Sequence, residues 1–198
     1  QIIFEDLEIS EEMAVIPPEG LKRGFAGFMN AYNGQRVGAG TVAMGIAAGA
    51  YELALEFSRE RNQFGRPICE FQGLQWMLAD MHIQIEAARL LLRKAAAGKS
   101  ENSGGNGSGF PDMLEAAQAK IFASEMAIKV TNDALQIFGS SGYSRNFPLE
   151  RMARDARMFT IGGGTAQILR TVVASALLER KLPQTRDGYS KQKKHKSD

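Results

Sequence analysis

The sequence holds one cysteine, Cys69, in 198 residues. No disulfide can close within the chain, a cysteine-based metal cluster is excluded, and a reducing location, the cytoplasm, is expected. Histidine is nearly as scarce. His82 falls in a helical stretch and His195 in the tail, without metal-ligand spacing between them. His82 reads as a surface or half-buried helix residue. Neither GxSxG nor GxxxxGK[ST] occurs, so nucleophile-elbow and P-loop chemistry are not indicated. Charge of one sign is also lacking. The net charge is +2, much of it in the terminal "KQKKHKSD", which reads as a solvated tail and gives no reason to expect a nucleic-acid partner. The stretch "VGAGTVAMGIAAGAY" at 37–51 is too short and too rich in Gly and Ala for a good membrane span. Small residues at that density instead let helices approach closely. The first ten residues, "QIIFEDLEIS", lack the basic start and apolar run of a signal peptide.

What remains is an ordinary soluble composition, 44% apolar and 23% charged, long enough for one domain with a sizeable core. Residues 1–9 alternate loosely and predict a short strand, which has no partner strand in the sequence. "IPPEG" at 16–20 is a break. From there the pattern is helical. One helix is expected over about 21–60 and a second over about 70–97, with a stripe of Phe71, Leu74, Leu78, Met81, Ile85, Ala88 and Leu92. "KSENSGGNGSG" at 99–109 reads as a flexible linker. Pro111 and Asp112 suit the opening of a third helix, to about 138, striped by Leu114, Ala117, Ile121, Ile128 and Leu135. A loop at 138–148, a short helix over about 148–157 and a last helix over about 165–181 follow. The expected fold is all-α, an antiparallel four-helix-type bundle over 18–183, with a strand and connector before it (1–17) and a basic tail after it (184–198).

Three segments could carry chemistry. "RNQFGRP" at 61–67 closes the first helix. It reads either as a capped helix end, with cations, glycine and proline in their usual places, or as a clamp on a phosphate or dinucleotide. In the clamp, Arg61 supplies forked donors and Phe64 a flat face. "QIFGSSGY" at 136–143 is either a turn or a backbone that must come close to a ligand. "TIGGGTAQILR" at 160–170 places three glycines before a helix that Thr165 can cap, which is either a loose hinge or a site where free amides meet an electron-rich group.

Together, "RNQFGRPICEFQGLQWMLADM", "AKIFASEMAIKVTNDALQIFGSSGY" and "RDARMFTIGGGTAQILR" resemble the acyl-CoA dehydrogenase family in order and register, over about residues 1–185. The resemblance implies a C-terminal helical bundle preceded by the last strand of a β-domain that this chain lacks. It implies FAD bound between subunits of a homo-oligomer, a dimer or tetramer, and an acyl-CoA thioester as substrate. Carried over by position, Arg61 and Phe64 would clamp the FAD of a neighbouring subunit. Gln72, the segment Gln136 to Ser140 with Gly139, and Thr165 with Gln167 would touch FAD as well. Arg36 and Gly164 would lie near the acyl-CoA.

Family dehydrogenases remove a proton beside the thioester carbonyl with a glutamate. By resemblance, the usual place of that glutamate is Gly163 here, and the place used by other members is Gln35, a neutral amide. No catalytic base is retained at either position. Glu150 and Asp155 are the candidate substitutes, but they sit in a helix that reads as structural. "EGLKRGF", "QRVGAG", "FGSSGY", "GGTAQILR" and "LPQTRDGY" resemble one branch of the family, the 3-sulfinopropanoyl-CoA desulfinases, whose members also lack the glutamate. That resemblance implies C–S cleavage to propanoyl-CoA and sulfite without net oxidation, with the sulfinate held by a group outside this chain. The alternative is an FAD-dependent dehydrogenase with a relocated base.

Overall fold

A computed structural model describes residues 2–16, 20, 24–98 and 109–180. The expected linker at 99–109, apart from Gly109, lies outside the described residues, as do "LPQTRDGY" at 182–189, His195 and the tail at 184–198. The chain folds as an all-α bundle. Its helices are α1 (Gly24–Glu60), α2 (Gln72–Ala97), α3 (Met113–Phe138), α4 (Ser140–Tyr143), α5 (Leu149–Met158) and α6 (Ala166–Leu177). Between α1 and α2 stands a two-stranded hairpin, β1 (Asn62–Gln63) and β2 (Arg66–Pro67).

Contacts along the helices give their directions. Phe57 of α1 stacks on Phe138 of α3 with ring centroids 4.0 Å apart, and Gly40 approaches Lys120, so α1 and α3 run the same way. Tyr51 meets His82 and Gly40 meets Leu92, so α2 runs back. Along α3, Ile128 shares a cavity wall with Thr165 at the start of α6, and Gln118 shares a groove with Leu177 at its end, so α6 also runs back.

The α1–α3 seam is built from small residues. Ala43, Ala47, Ala50 and Ala54 face Ala116, Ala119, Ala123, Ala127 and Ala134, all fully buried. Short side chains set the lower end of helix–helix spacing. At Gly40 an added Cβ would stand 2.8 Å from Leu92 Cδ2, so this crossing needs glycine unless Leu92 moves. By length and composition α1 over 27–60 could cross a membrane. Its alanine face is instead sunk in the bundle. From the other side α2 supplies bulk: Leu78, Met81, Ile85, Ala88 and Leu92 are buried, as its stripe predicts.

Five expectations need correction. Residues 2–9 form no strand; they are exposed and unpaired, because a strand needs a neighbouring edge and the one sheet of the described residues pairs β1 with β2 alone. The α3 stripe is displaced: Leu114, Ile121, Ile128 and Leu135 are only half-buried, while alanines, Val130 and Lys120 occupy the core side. Helix α3 is packed by α1, α2, α5 and α6, so its innermost face takes the smallest residues. Segment 61–67 is a hairpin rather than a plain helix end, and 140–143 is a helical turn within the expected loop. Finally, α6 stops at Leu177, where Glu179 turns left-handed (φ +50°) and the Arg180 amide donates to the Ser175 carbonyl.

Candidate functional site

The glycine segment is a closed loop. At its mouth the Ala166 amide donates to the Thr160 carbonyl at 3.0 Å. The Gly162 amide donates to the Met158 carbonyl at the end of α5. Gly163 and Gly164 both lie in the left-handed region, at φ +72° and +94°, which explains glycine at these two positions. Thr165 then caps α6 as expected, its hydroxyl accepting from the Ile168 amide at 3.2 Å.

Beneath the loop lies a residue that sequence reasoning missed. Lys120 of α3 is fully buried, and its Nζ donates to the Gly164 carbonyl at 2.8 Å. Its position in line with Ala116, Ala119, Ala123 and Ala127 is the signal that could have found it: one lysine on an otherwise small, buried face. Arg36 is also buried. Its Nη1 donates to Asn33 Oδ1 at 2.8 Å, its guanidinium sits 5.6 Å from the Tyr32 ring centroid, and its Nε has no partner. Burial, and then the positive charge of Arg36, push the Lys120 ammonium below the ordinary lysine range. Burial lowers Arg36 too, opposed by Tyr32. The structure thus brings Arg36 and Gly164 into one electrostatic neighbourhood through Lys120.

Thr165 and Gln167 line a cavity of about 280 Å³ with Glu125, Ile128, Arg157, Thr160, Ile161 and Ala166. Arg157 donates to Thr160 Oγ1 at 2.9 Å, and Thr160 in turn donates to the Arg157 carbonyl. Glu125 is the one carboxylate on this wall. Arg170 grips both of its oxygens at 2.7 Å, and that hydrogen bond is the main reason its carboxyl is held below the usual glutamate range. A carboxylate so held is a poor proton acceptor. The alternatives fare no better. Glu150 pairs with Arg154 at 3.0 Å on α5, Asp155 is exposed, and neither lines the cavity. Gln35 is exposed, and a side chain added at Gly163 would meet nothing within 4 Å.

Arg61, Phe64 and Gln72 do not share this cavity. All three are exposed, Phe64 at 92%. Phe64 holds a left-handed φ of +53° at the tip of the hairpin, where it meets Phe71 edge-on at 6.1 Å. Arg66 lies over the Phe71 ring at 4.3 Å. Gln136 and Ser140 are exposed on either side of Gly139 (φ +59°), which ends α3.

The chain matches the family of acyl-CoA dehydrogenase C-terminal domains over residues 22–178, and it belongs to that family. It is similar to a 3-sulfinopropanoyl-CoA desulfinase of Cupriavidus necator, 65% identical over 94% of this chain and 45% of the relative. It is similar to another desulfinase of that name from Variovorax paradoxus, 66% identical over 96% of this chain and 46% of the relative. The chain therefore spans a little under half the length of these two proteins. Among solved structures it is similar to the butyryl-CoA dehydrogenase of Megasphaera elsdenii, with TM-score 0.71 and 43% identity over 79% of this chain and 39% of that one.

Proposed function

We propose that this chain is the C-terminal bundle of a longer flavoprotein that cleaves 3-sulfinopropanoyl-CoA to propanoyl-CoA and sulfite. The similarity to two desulfinases at 65% and 66% identity supports the substrate. The observation that carries the reading is that, among the described residues, no available proton acceptor stands around the loop: Gly163 and Gln35 are at the family's base positions, and Glu125 is gripped by Arg170.

The proposed reaction balances without an electron acceptor. The bond from C3 to sulfur breaks, its electron pair stays on C3, and C3 takes a proton. Sulfur leaves as sulfur dioxide, which hydrates to hydrogen sulfite, so water is consumed and the change is formally a hydrolysis. No α-proton has to be removed, so loss of the glutamate leaves this chemistry intact. In this reading Arg36 and Gly164 border the acyl end.

The donor set suits FAD. Thr165 and Gln167 offer a hydroxyl and an amide at the cavity, and Arg157 adds a guanidinium. Arg61 and Phe64 present a fork of donors and a flat face away from it. FAD, when bound, would supply a planar redox-capable ring, which desulfination does not need to reduce. Because Phe64 is exposed and strained, with only the edge-on Phe71 ring of its own chain against it, we assign its contact to the FAD of a neighbouring copy, in a dimer or tetramer. A cytoplasmic setting accords with the single thiol of Cys69.

The test is to incubate the flavin-loaded longer protein with 3-sulfinopropanoyl-CoA and, separately, with butanoyl-CoA and a dye acceptor. Sulfite release without dye bleaching is expected. Dye bleaching with butanoyl-CoA, and no sulfite, would replace this reading by a dehydrogenase with a relocated base.

A further inference from the structure

Lys120 is expensive to place where it stands. A lysine ammonium has three N–H donors, and here one acceptor, the Gly164 carbonyl at 2.8 Å, meets it. No carboxylate of the described residues lies within ion-pair distance of it. Its charged neighbour is Arg36, of the same sign. A buried charge without a counter-charge is destabilising, and a well-packed apolar side chain of similar volume is often at least as good for the fold. Packing therefore does not explain a lysine on this face, where the surrounding positions are alanines.

The loop explains it. Three consecutive glycines lose more conformational freedom on ordering than any other three residues. The Ala166–Thr160 bond closes the mouth of the loop but does not fix the Gly163–Gly164 pair beyond it. Lys120 does so from inside the bundle, across 44 residues of sequence. We propose that Lys120 is a positioning residue: its ammonium holds the Gly164 carbonyl, keeps Gly163 and Gly164 in their left-handed conformation, and so fixes the loop that borders the acyl-CoA. The role in turnover rests on the acyl-CoA reading above; the anchoring of the loop does not.

Lys120→Met retains the length of the stem and removes the donor. In the longer protein, hydrogen exchange should quicken about tenfold or more at amides 162–165, while α1 and α3 keep their protection and the melting temperature does not fall. In the flavin-loaded longer protein, kcat should fall about tenfold or more with KM for the thioester changed less than about threefold. An unchanged loop, loss of protection throughout the bundle, or a variant that does not fold would each overturn the anchoring. A loosened loop with unchanged turnover would overturn the role in the site. If the unsubstituted enzyme neither releases sulfite nor reduces a dye, the acyl-CoA reading fails, and the exchange measurement still decides the anchoring.

Discussion

Two regions of this bundle carry expected ligand contacts, and they are built in opposite ways. The glycine loop is held by its own chain: the Ala166 amide at the mouth, the Met158 carbonyl behind it, Lys120 beneath and the Thr165 cap after it. The hairpin at Asn62–Pro67 is held by its own two-residue ladder, by the Ile68 amide on the Arg61 carbonyl and by Arg66 over Phe71. Its tip residue, Phe64, is exposed in a left-handed conformation that a bulky residue adopts only under constraint. The contacts that hold the loop come from its own chain. The hairpin holds strain at a tip that, among the described residues, meets only Phe71 edge-on, which suits the contact to another copy proposed above.

The two regions should therefore respond differently to substitution. The largest effect is expected in the loop. Gly164→Val forces a β-branched residue to φ +94° with Leu169 Cδ2 at 3.4 Å from the new Cβ, and should lower the unfolding free energy in urea by about 2–3 kcal/mol. Removing a hairpin group should leave folding alone and act on the cofactor. Arg61→Ala should weaken flavin retention by the assembled protein about tenfold, about 1.4 kcal/mol, with the urea midpoint unchanged. Flavin retention that is unaffected would remove the hairpin from the site. Phe64→Gly should split the two properties: relief of the positive φ should stabilise the chain by about 1 kcal/mol while flavin retention falls.

The smallest effect belongs to Glu125 and Arg170, both substantially exposed, where solvent limits the pair to less than about 1 kcal/mol. The Glu125 carboxyl is depressed in the folded state, so its contribution is present above the unfolded carboxylate value, about 4.3, and is lost as pH falls through the folded one. Acid titration of Glu125→Gln against the parent should show the difference closing below about pH 4. A difference that persists at lower pH would assign the effect to packing rather than charge.

The sequence showed the bundle clearly where periodicity and burial coincide. The α2 stripe from Leu78 to Leu92 is buried as read, and Asp112 caps α3 through bonds to the Leu114 and Glu115 amides. Helix α3 was misread because large aliphatic residues draw attention to a face, whereas a helix packed on several sides keeps its smallest residues innermost. That same bias hid Lys120, since a cation is assigned to solvent unless the alanines around it are read as core. The strand expected at 1–9 depended on a partner edge that periodicity cannot supply. Gly163 and Gln35 were legible as missing carboxylates by resemblance, but the engagement of Glu125 by Arg170 was not, because those residues meet across 45 positions.

The central claim is that none of the described residues near the loop accepts a proton from the carbon beside the thioester carbonyl. Incubating the flavin-loaded longer protein with propanoyl-CoA in D2O, followed by mass spectrometry of the thioester, tests it without relying on any product. No deuterium at C2 above the enzyme-free rate is the predicted result. Enzyme-dependent deuteration at C2 would reveal a working base and contradict the account.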